Sequence, residues 1–222
     1  MVTARRERPA RDRESTERRL LAATGRVLAE QGFRGLGVNA VAREAGADKV
    51  LVYRYFGGLE GLLRAYAQTA EFWPTERELA PAAGGSDPVA AAAAMLDGLT
   101  RGLRRRPATQ SVLAWELVEP NPLAERTAEA REDAGLRLME RFPADLAPGT
   151  DLAAVAALLT AGLTYLVLRS RTAPAWLGVS LRDERGWTRL QRAAEAVIRA
   201  VLAGGGPEGP GARAPRRRRR SA

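Results

Sequence analysis

Along most of the chain, apolar side chains recur at three- and four-residue intervals, and the extended two-residue alternation of strands is missing, which predicts an all-helical protein. A first helix opens at Ser15, a good N-cap with Glu17 in the first turn, carries Leu20, Leu21, Thr24, Val27 and Leu28 on one side, and stops at Gly32. A short second helix has Val38, Val41, Ala42 and Ala45 at i, i+3, i+4 and i+7 and is closed by Gly46. Asp48 caps a third, with Val52 and Phe56 one turn apart on its buried side. After Gly57-Gly58 a fourth, bearing Leu59, Leu62, Leu63, Tyr66, Ala70 and Trp73, runs to Pro74.

Residues 75–87 read as a loop, and Asp87-Pro88, cap then first-turn proline, opens a helix through Met95, Leu99 and Leu103 that ends at Arg104-Arg105-Arg106. Further helices span roughly 108–118, Pro122 to about Phe142, 151–171, and Trp187 to Leu202. No internal repeat is evident. From Leu152 to Leu168 no residue is charged. That length is at the lower limit of about 17 residues for a membrane span, but the segment is rich in alanine and includes Thr160, Gly162 and Thr164. A helix covered on more than one side, by its own domain and by a second subunit, is the expected state, with no membrane partner.

Composition narrows the chemistry. The 222 residues include no Cys and no His, and Lys49 is the sole lysine, so Cys/His metal sites, cysteine nucleophiles and Ser-His-Asp triads are excluded. An enzyme is disfavoured and no cofactor is expected. The start shows no basic segment followed by an apolar run and cleavage site, so no signal peptide is read and the cytoplasm is the expected compartment by default. Of the net charge of +9, residues 1–60 hold 12 basic and 8 acidic side chains and residues 204–222 hold 6 and 1, while the middle is balanced. A polyanion is therefore expected at the ends of the chain. Residues 1–14, with Arg5, Arg6, Arg8, Arg11 and Arg13, read as a disordered basic arm, and 204–222 as a disordered Gly/Pro tail ending in Arg216 to Arg220.

Two short helices joined by a few residues including a glycine have the composition of a helix-turn-helix. The stretch from Gly32 to Leu63, GFRGLGVNAVAREAGADKVLVYRYFGGLEGLL, resembles the N-terminal DNA-binding domain of TetR-type transcriptional regulators. A glycine and aromatic end the first helix, Val-x-x-Val-Ala-x-x-Ala-Gly forms the second helix and turn, and Tyr-Arg-Tyr-Phe closes the third; the likeness covers about residues 16–66. The resemblance implies an all-α fold with a helix-turn-helix DNA-binding domain over 15–73 and a larger helical ligand-binding and dimerisation domain over 74–203.

Helical phase turns Lys49, Val50, Tyr53 and Arg54 away from Val52 and Phe56. A helix of this width enters the major groove. There Lys49 donates to a guanine edge or a phosphate, Val50 touches a thymine methyl, Tyr53 and Tyr55 donate hydroxyls to phosphates, and Arg54 adds charge along the backbone. The family pattern adds Val38 and Asn39 at the start of the second helix, and Leu51 on the third. Gly37 stands where the family usually has a capping, phosphate-contacting Thr, and Leu59 where it usually has a phosphate-gripping Lys. The expected phosphate footprint is correspondingly weak.

The resemblance further implies a double-stranded operator, a homodimer and a small-molecule effector. Met95, Leu99, Leu113, Trp115, Leu117, Met139 and Tyr165 are candidate liners of a largely apolar pocket, and Glu116 reads as a surface carboxylate, with contact to a cationic ligand as the alternative. Helix 151–171, through Leu159, Leu163 and Leu166, and the last helix, through Trp187, Leu190, Ala194, Val197 and Val201, are the candidate dimer interface. Two readings of other kinds stay open: a helical small-molecule-binding protein with a degenerate helix-turn-helix, and a non-specific nucleic-acid binder using its basic ends.

Overall fold

The computed structural model of the protein describes residues 4–69, 72–79, 87–118, 122–142 and 146–203; the arginine tail lies outside them. The described residues form ten α-helices, a short 3-10 helix (Phe33–Gly35) and one small hairpin. Helix α1 (Ala4–Gln31) begins well before Ser15, so the segment expected as a disordered arm is instead helical from Ala4 onward. Its Arg, Glu and Ala content favours the helix. Across the expected start, Arg13 Nε donates to Glu17 Oε1 at 2.7 Å and the Thr16 hydroxyl donates to the Asp12 carbonyl at 2.8 Å.

Helices α2 (Val38–Ala45), α3 (Lys49–Phe56) and α4 (Leu59–Ala67) follow, separated by left-handed Gly46 and by Gly57-Gly58. Val27, Val41, Val52 and Leu62 form a dry core among the four, each almost fully buried. Helix α4 stops at Ala67 rather than reaching Trp73, and the Thr69 hydroxyl donates to the Tyr66 carbonyl at 2.7 Å just beyond its end. The expected loop after Pro74 contains a further helix, α5 (Glu76–Leu79). Its signature is Thr75-Glu76-Arg77-Glu78, a capping box: the Thr75 amide donates to Glu78 Oε2 at 2.8 Å, and the Glu78 amide to the Thr75 hydroxyl at 3.4 Å.

The rest is α6 (Pro88–Arg104), α7 (Pro107–Glu116), α8 (Pro122–Met139), α9 (Leu152–Arg169) and α10 (Glu184–Ala203). Side chains of Asp87 and Asp151 accept the Val89 and Ala154 amides and so cap α6 and α9. Helix α6 is the central post, with α5, α7, α9 and α10 packed on it. Gly98 and Gly102 on α6 let the 74–79 segment lie against its backbone; a Cβ at Gly98 would strike the Glu78 carbonyl.

The reading as helices alone missed an antiparallel hairpin, β1 (Ala175–Trp176) with β2 (Val179–Ser180). Both turn residues, Leu177 (φ 47°) and Gly178 (φ 74°), have positive φ, as a tight primed turn requires. A leucine at the first position hides that turn from the sequence. Trp187 is in the core, its ring nitrogen donating to the Leu181 carbonyl at 3.1 Å and its face under Arg104. It therefore belongs to no outer face.

The α5–α6 junction is locked by Glu78, whose carboxylate receives Arg106 Nη2 at 2.7 Å and Arg105 Nη2 at 3.1 Å. The Arg106 hydrogen bond first, and the Thr75 amide second, lower its pKa to about 2. A depressed carboxylate stabilises the fold above its unfolded pKa, and that contribution is lost as pH falls through the folded one. Glu78→Gln is expected to cost on the order of 1–2 kcal/mol at neutral pH, allowing for solvent screening of a partly exposed pair. Urea unfolding of both proteins should show the gap narrowing from about pH 4.5 down to pH 2.

Candidate nucleic-acid interface and ligand cavity

Helix α3 is set by its two ends. Asp48 accepts the Val50 amide at 2.9 Å, and Gly57, with φ 74°, donates its amide to the Tyr53 carbonyl at 2.9 Å. Gly61 then lets α4 start directly against α3, because a Cβ there would run into the Phe56 carbonyl. These constraints bury Val52 and leave Lys49, Val50, Tyr53 and Arg54 on the outer face, with Val50 and Tyr53 each 58% exposed. On α2, Asn39 is exposed as well.

The other three candidates lean inward: Val38, Leu51 and Tyr55 pack against the core of the four-helix domain. For Tyr55 this corrects the outward placement expected of a phosphate donor; its ring is half-buried and the Arg13 guanidinium sits 5.2 Å above it. Tyr55 is followed by Phe56 at the helix end, where the turn into α4 brings apolar surface around both rings. Gly37, extended at φ −172°, and Gly58 cap α2 and α4 without any side-chain hydrogen bond. The first amides of both helices are thus not closed by a capping side chain.

Above this domain, a cavity of about 860 Å³ opens between α6, α8 and α9. Met95, Leu99, Leu113, Leu117, Met139 and Tyr165 line it. Trp115 does not: it lies flat on Phe33 at the end of the α1 segment, ring centroids 3.5 Å apart and 9° from parallel. The α7 helix turns its Val112 and Trp115 side toward α1 and its Leu113 and Glu116 toward the cavity, a division that needs the neighbouring helices to be seen.

Glu116 is not the surface carboxylate expected. It is bidentate with Arg131 of α8, at 3.1 and 2.5 Å, with side chains 12% and 17% exposed, and the Arg131 guanidinium sits 5.5 Å over the Trp73 ring. Arg131 and Trp73 are functional candidates that sequence reasoning missed, since nothing in a spacing of 15 residues across two helices marks an ion pair. Among the described residues, no cluster of three metal-ligating side chains occurs.

Of the candidate interface residues, most face into their own protomer. Leu163 and Ala194 are buried with Leu96 and Ile198, Leu159 and Leu190 pack on that cluster, and Leu166 packs on the one around Trp187. Val201 and Leu159 also line the cavity. Of these candidates Val197, 44% exposed, is the one that looks outward. Helix α9 is apolar on every side, so periodicity could not say which stripe faces α6. By length and mean hydropathy, 1.8, it is apolar enough to cross a membrane, yet it packs on α6 and α7. Its outward stripe carries Ala154, Leu158 and Gly162.

Residues 20–66 match the family model described as bacterial regulatory proteins, tetR family. A TetR-like transcriptional regulator from Rhodococcus sp. RHA1 superposes with a TM-score of 0.61 at 20% identity, over 85% of this chain and 96% of that one. A TetR family transcription regulator from Marinobacter aquaeolei VT8 gives 0.59 at 20%, over 84% and 97%. The fatty acid degradation regulator FadR from Bacillus halodurans gives 0.59 at 16%, over 84% and 94%. A search of curated proteins by sequence found no match. The chain therefore carries a TetR-type helix-turn-helix DNA-binding domain on the fold of TetR-family transcriptional regulators.

Proposed function

We propose that the protein is a homodimeric, ligand-responsive repressor acting in the cytoplasm on a palindromic operator. Each α3 enters the major groove of one half-site, with Lys49, Val50 and Tyr53 nearest the bases and Arg54 on the backbone. One eight-residue helix reads few base pairs, so two copies about 34–36 Å apart are needed for a specific site. The apolar stripes around Leu158 on α9 and Val197 on α10 supply the contact between copies. A largely apolar effector fills the cavity between α6, α8 and α9 and lowers operator affinity by binding better to a conformation in which α3 is displaced.

The observation that carries this reading is the adjacency of Trp115 and Glu116. Neighbouring residues of one helix touch the DNA-binding domain and the cavity wall, so any ligand that shifts α7 also pulls on Phe33 and α1. The Thr109 hydroxyl, donating to the Phe72 carbonyl, ties the same helix to the end of the DNA-binding domain a second time.

Selection from random duplexes should return an inverted repeat, and Val197→Glu should yield a monomer in sedimentation that loses this selectivity. A non-palindromic or sequence-indifferent pool would overturn the reading. Because Gly37 and Leu59 leave two phosphate contacts unfilled, the double variant Gly37→Thr/Leu59→Lys should steepen the fall of log affinity with log salt by about one to two. An unchanged slope would remove those positions from the interface. Trp115→Ala should leave effector affinity within about three-fold while cutting the effector-induced change in operator affinity at least about five-fold. Retention of the full change in this variant, measured by fluorescence anisotropy with labelled operator, would place the coupling elsewhere.

A further inference from the structure

We infer that the β1–β2 hairpin is an interface arm for a second copy of this chain: Leu177 at its tip buries against the partner at the end of the α9–α10 pair nearest the DNA-binding domain. The inference rests on the homodimer reading above and adds a contact beyond its two helices. Leu177 is 91% exposed, and among the described residues it is the one non-glycine with positive φ, 47°. The turn position it fills suits glycine, asparagine or aspartate; a leucine there bears the clash of its Cβ with the backbone and buries almost nothing in its own protomer. Strain of this kind collects where a surface engages another molecule.

The arm is firmly rooted. Ala175 pairs with Ser180, the Leu181 amide donates to the Pro174 carbonyl at 2.9 Å, and Gly186 brings the first turn of α10 against the Ser180 carbonyl, where a Cβ would clash. On α9, Leu158, Gly162, Tyr165 and Arg169 follow one another at intervals of four, three and four residues and so share one stripe, although Tyr165 also edges the cavity. Trp176 packs on the last two: its ring lies edge-on to that of Tyr165, centroids 5.4 Å apart, and the Arg169 guanidinium is 6.0 Å from its centroid. The hairpin therefore stands on the stripe that carries Leu158, and a copy docking on that stripe meets it. Arg171, just past α9, donates to the Ser111 hydroxyl of α7 at 2.7 Å, which sets this end of the stripe beside the helix that holds the DNA-binding domain.

Area and composition select a second copy as the occupant. Five large apolar side chains are exposed along α9, the hairpin and α10: Leu158, Tyr165, Trp176, Leu177 and Val197. Leu158 and Val197 alone fall short of the roughly 800 Å² per partner that a lasting contact buries, and the other three extend the same face. Residues 204–222 offer the tip no cover from within the chain, because they contain no apolar side chain larger than proline.

The test uses the full chain, with dimer dissociation followed by sedimentation. Leu177→Asn, which suits the turn, should weaken the dimer at least about ten-fold, while Leu177→Met, which keeps the apolar bulk, should stay within about three-fold of the parent. The urea midpoint of the diluted monomer should not fall in Leu177→Asn, which separates a lost contact from a damaged hairpin; a lower midpoint leaves the decision to a second variant. The chain has no cysteine, so Leu177→Cys supplies a single thiol. Its second-order rate constant for maleimide labelling should be at least about ten-fold smaller in the dimer than after dilution to monomer. An unchanged dissociation constant in Leu177→Asn, or a thiol equally reactive in both states, would each overturn the arm and leave the homodimer standing. A parent chain that is monomeric at every concentration would overturn both. Binding to phosphatidylglycerol vesicles that is lost in Leu177→Asn while the dimer is unaffected would give the tip to a membrane instead.

Discussion

The flat stack of Phe33 on Trp115 lies at the seam between the helix-turn-helix domain and the helices that enclose the cavity. Around it, Leu28, Leu63, Tyr66 and Phe72 from one side meet Ala108 and Val112 from the other in a single buried cluster. Close-packed interiors transmit displacement because side chains have few alternative arrangements. Helix α7 is therefore fixed on one flank by the reading domain, while its other flank forms cavity wall. The proposed coupling between the cavity and the helix-turn-helix domain passes through that shared helix.

The reading domain shows what a very short helix must sacrifice. Eight residues of α3 have to seat themselves on α2 and α4 and also leave one face exposed. Val52 seats the helix, assisted by Leu51, Tyr55 and Phe56, and this leaves an outward face of Lys49, Val50, Tyr53 and Arg54. The anchoring is mostly backbone geometry: a side-chain cap at one end, a left-handed glycine at the other, and Gly61 allowing α4 to approach closely. With Gly37 and Gly58 at the starts of α2 and α4, the first amides of both helices are left without a capping side chain.

The cavity combines an apolar length with a small polar end that holds the Glu116–Arg131 pair. A buried ion pair contributes little net stability on its own, but breaking it is costly, so the Glu116–Arg131 pair holds α7 and α8 in one register at the cavity wall. Helix α9 serves this cavity and the outer surface at once. Leu163 and Val167 hold it to the protomer, Thr160 and Thr164 reach the cavity, and Leu158 remains 75% exposed.

How much of this was legible beforehand divides along a physical line. Local signals, which depend on residues within a turn of one another, were in the sequence: the caps at Asp48, Asp87 and Asp151, the glycine stop at Gly46, and the helix-turn-helix spacing with Val52 inward and Tyr53 outward. The Thr75-x-x-Glu78 box was equally local and went unread. The continuation of α1 to Ala4 likewise lay in helix propensity that net charge obscured. Which stripe of α9 faces inward, the removal of Trp115 from the cavity to Phe33, and the meeting of Glu116 with Arg131 were decided only when helices distant in sequence were packed together. Helical periodicity records that a residue is buried; it carries no record of which neighbour buries it, and that partner was chosen by the tertiary structure.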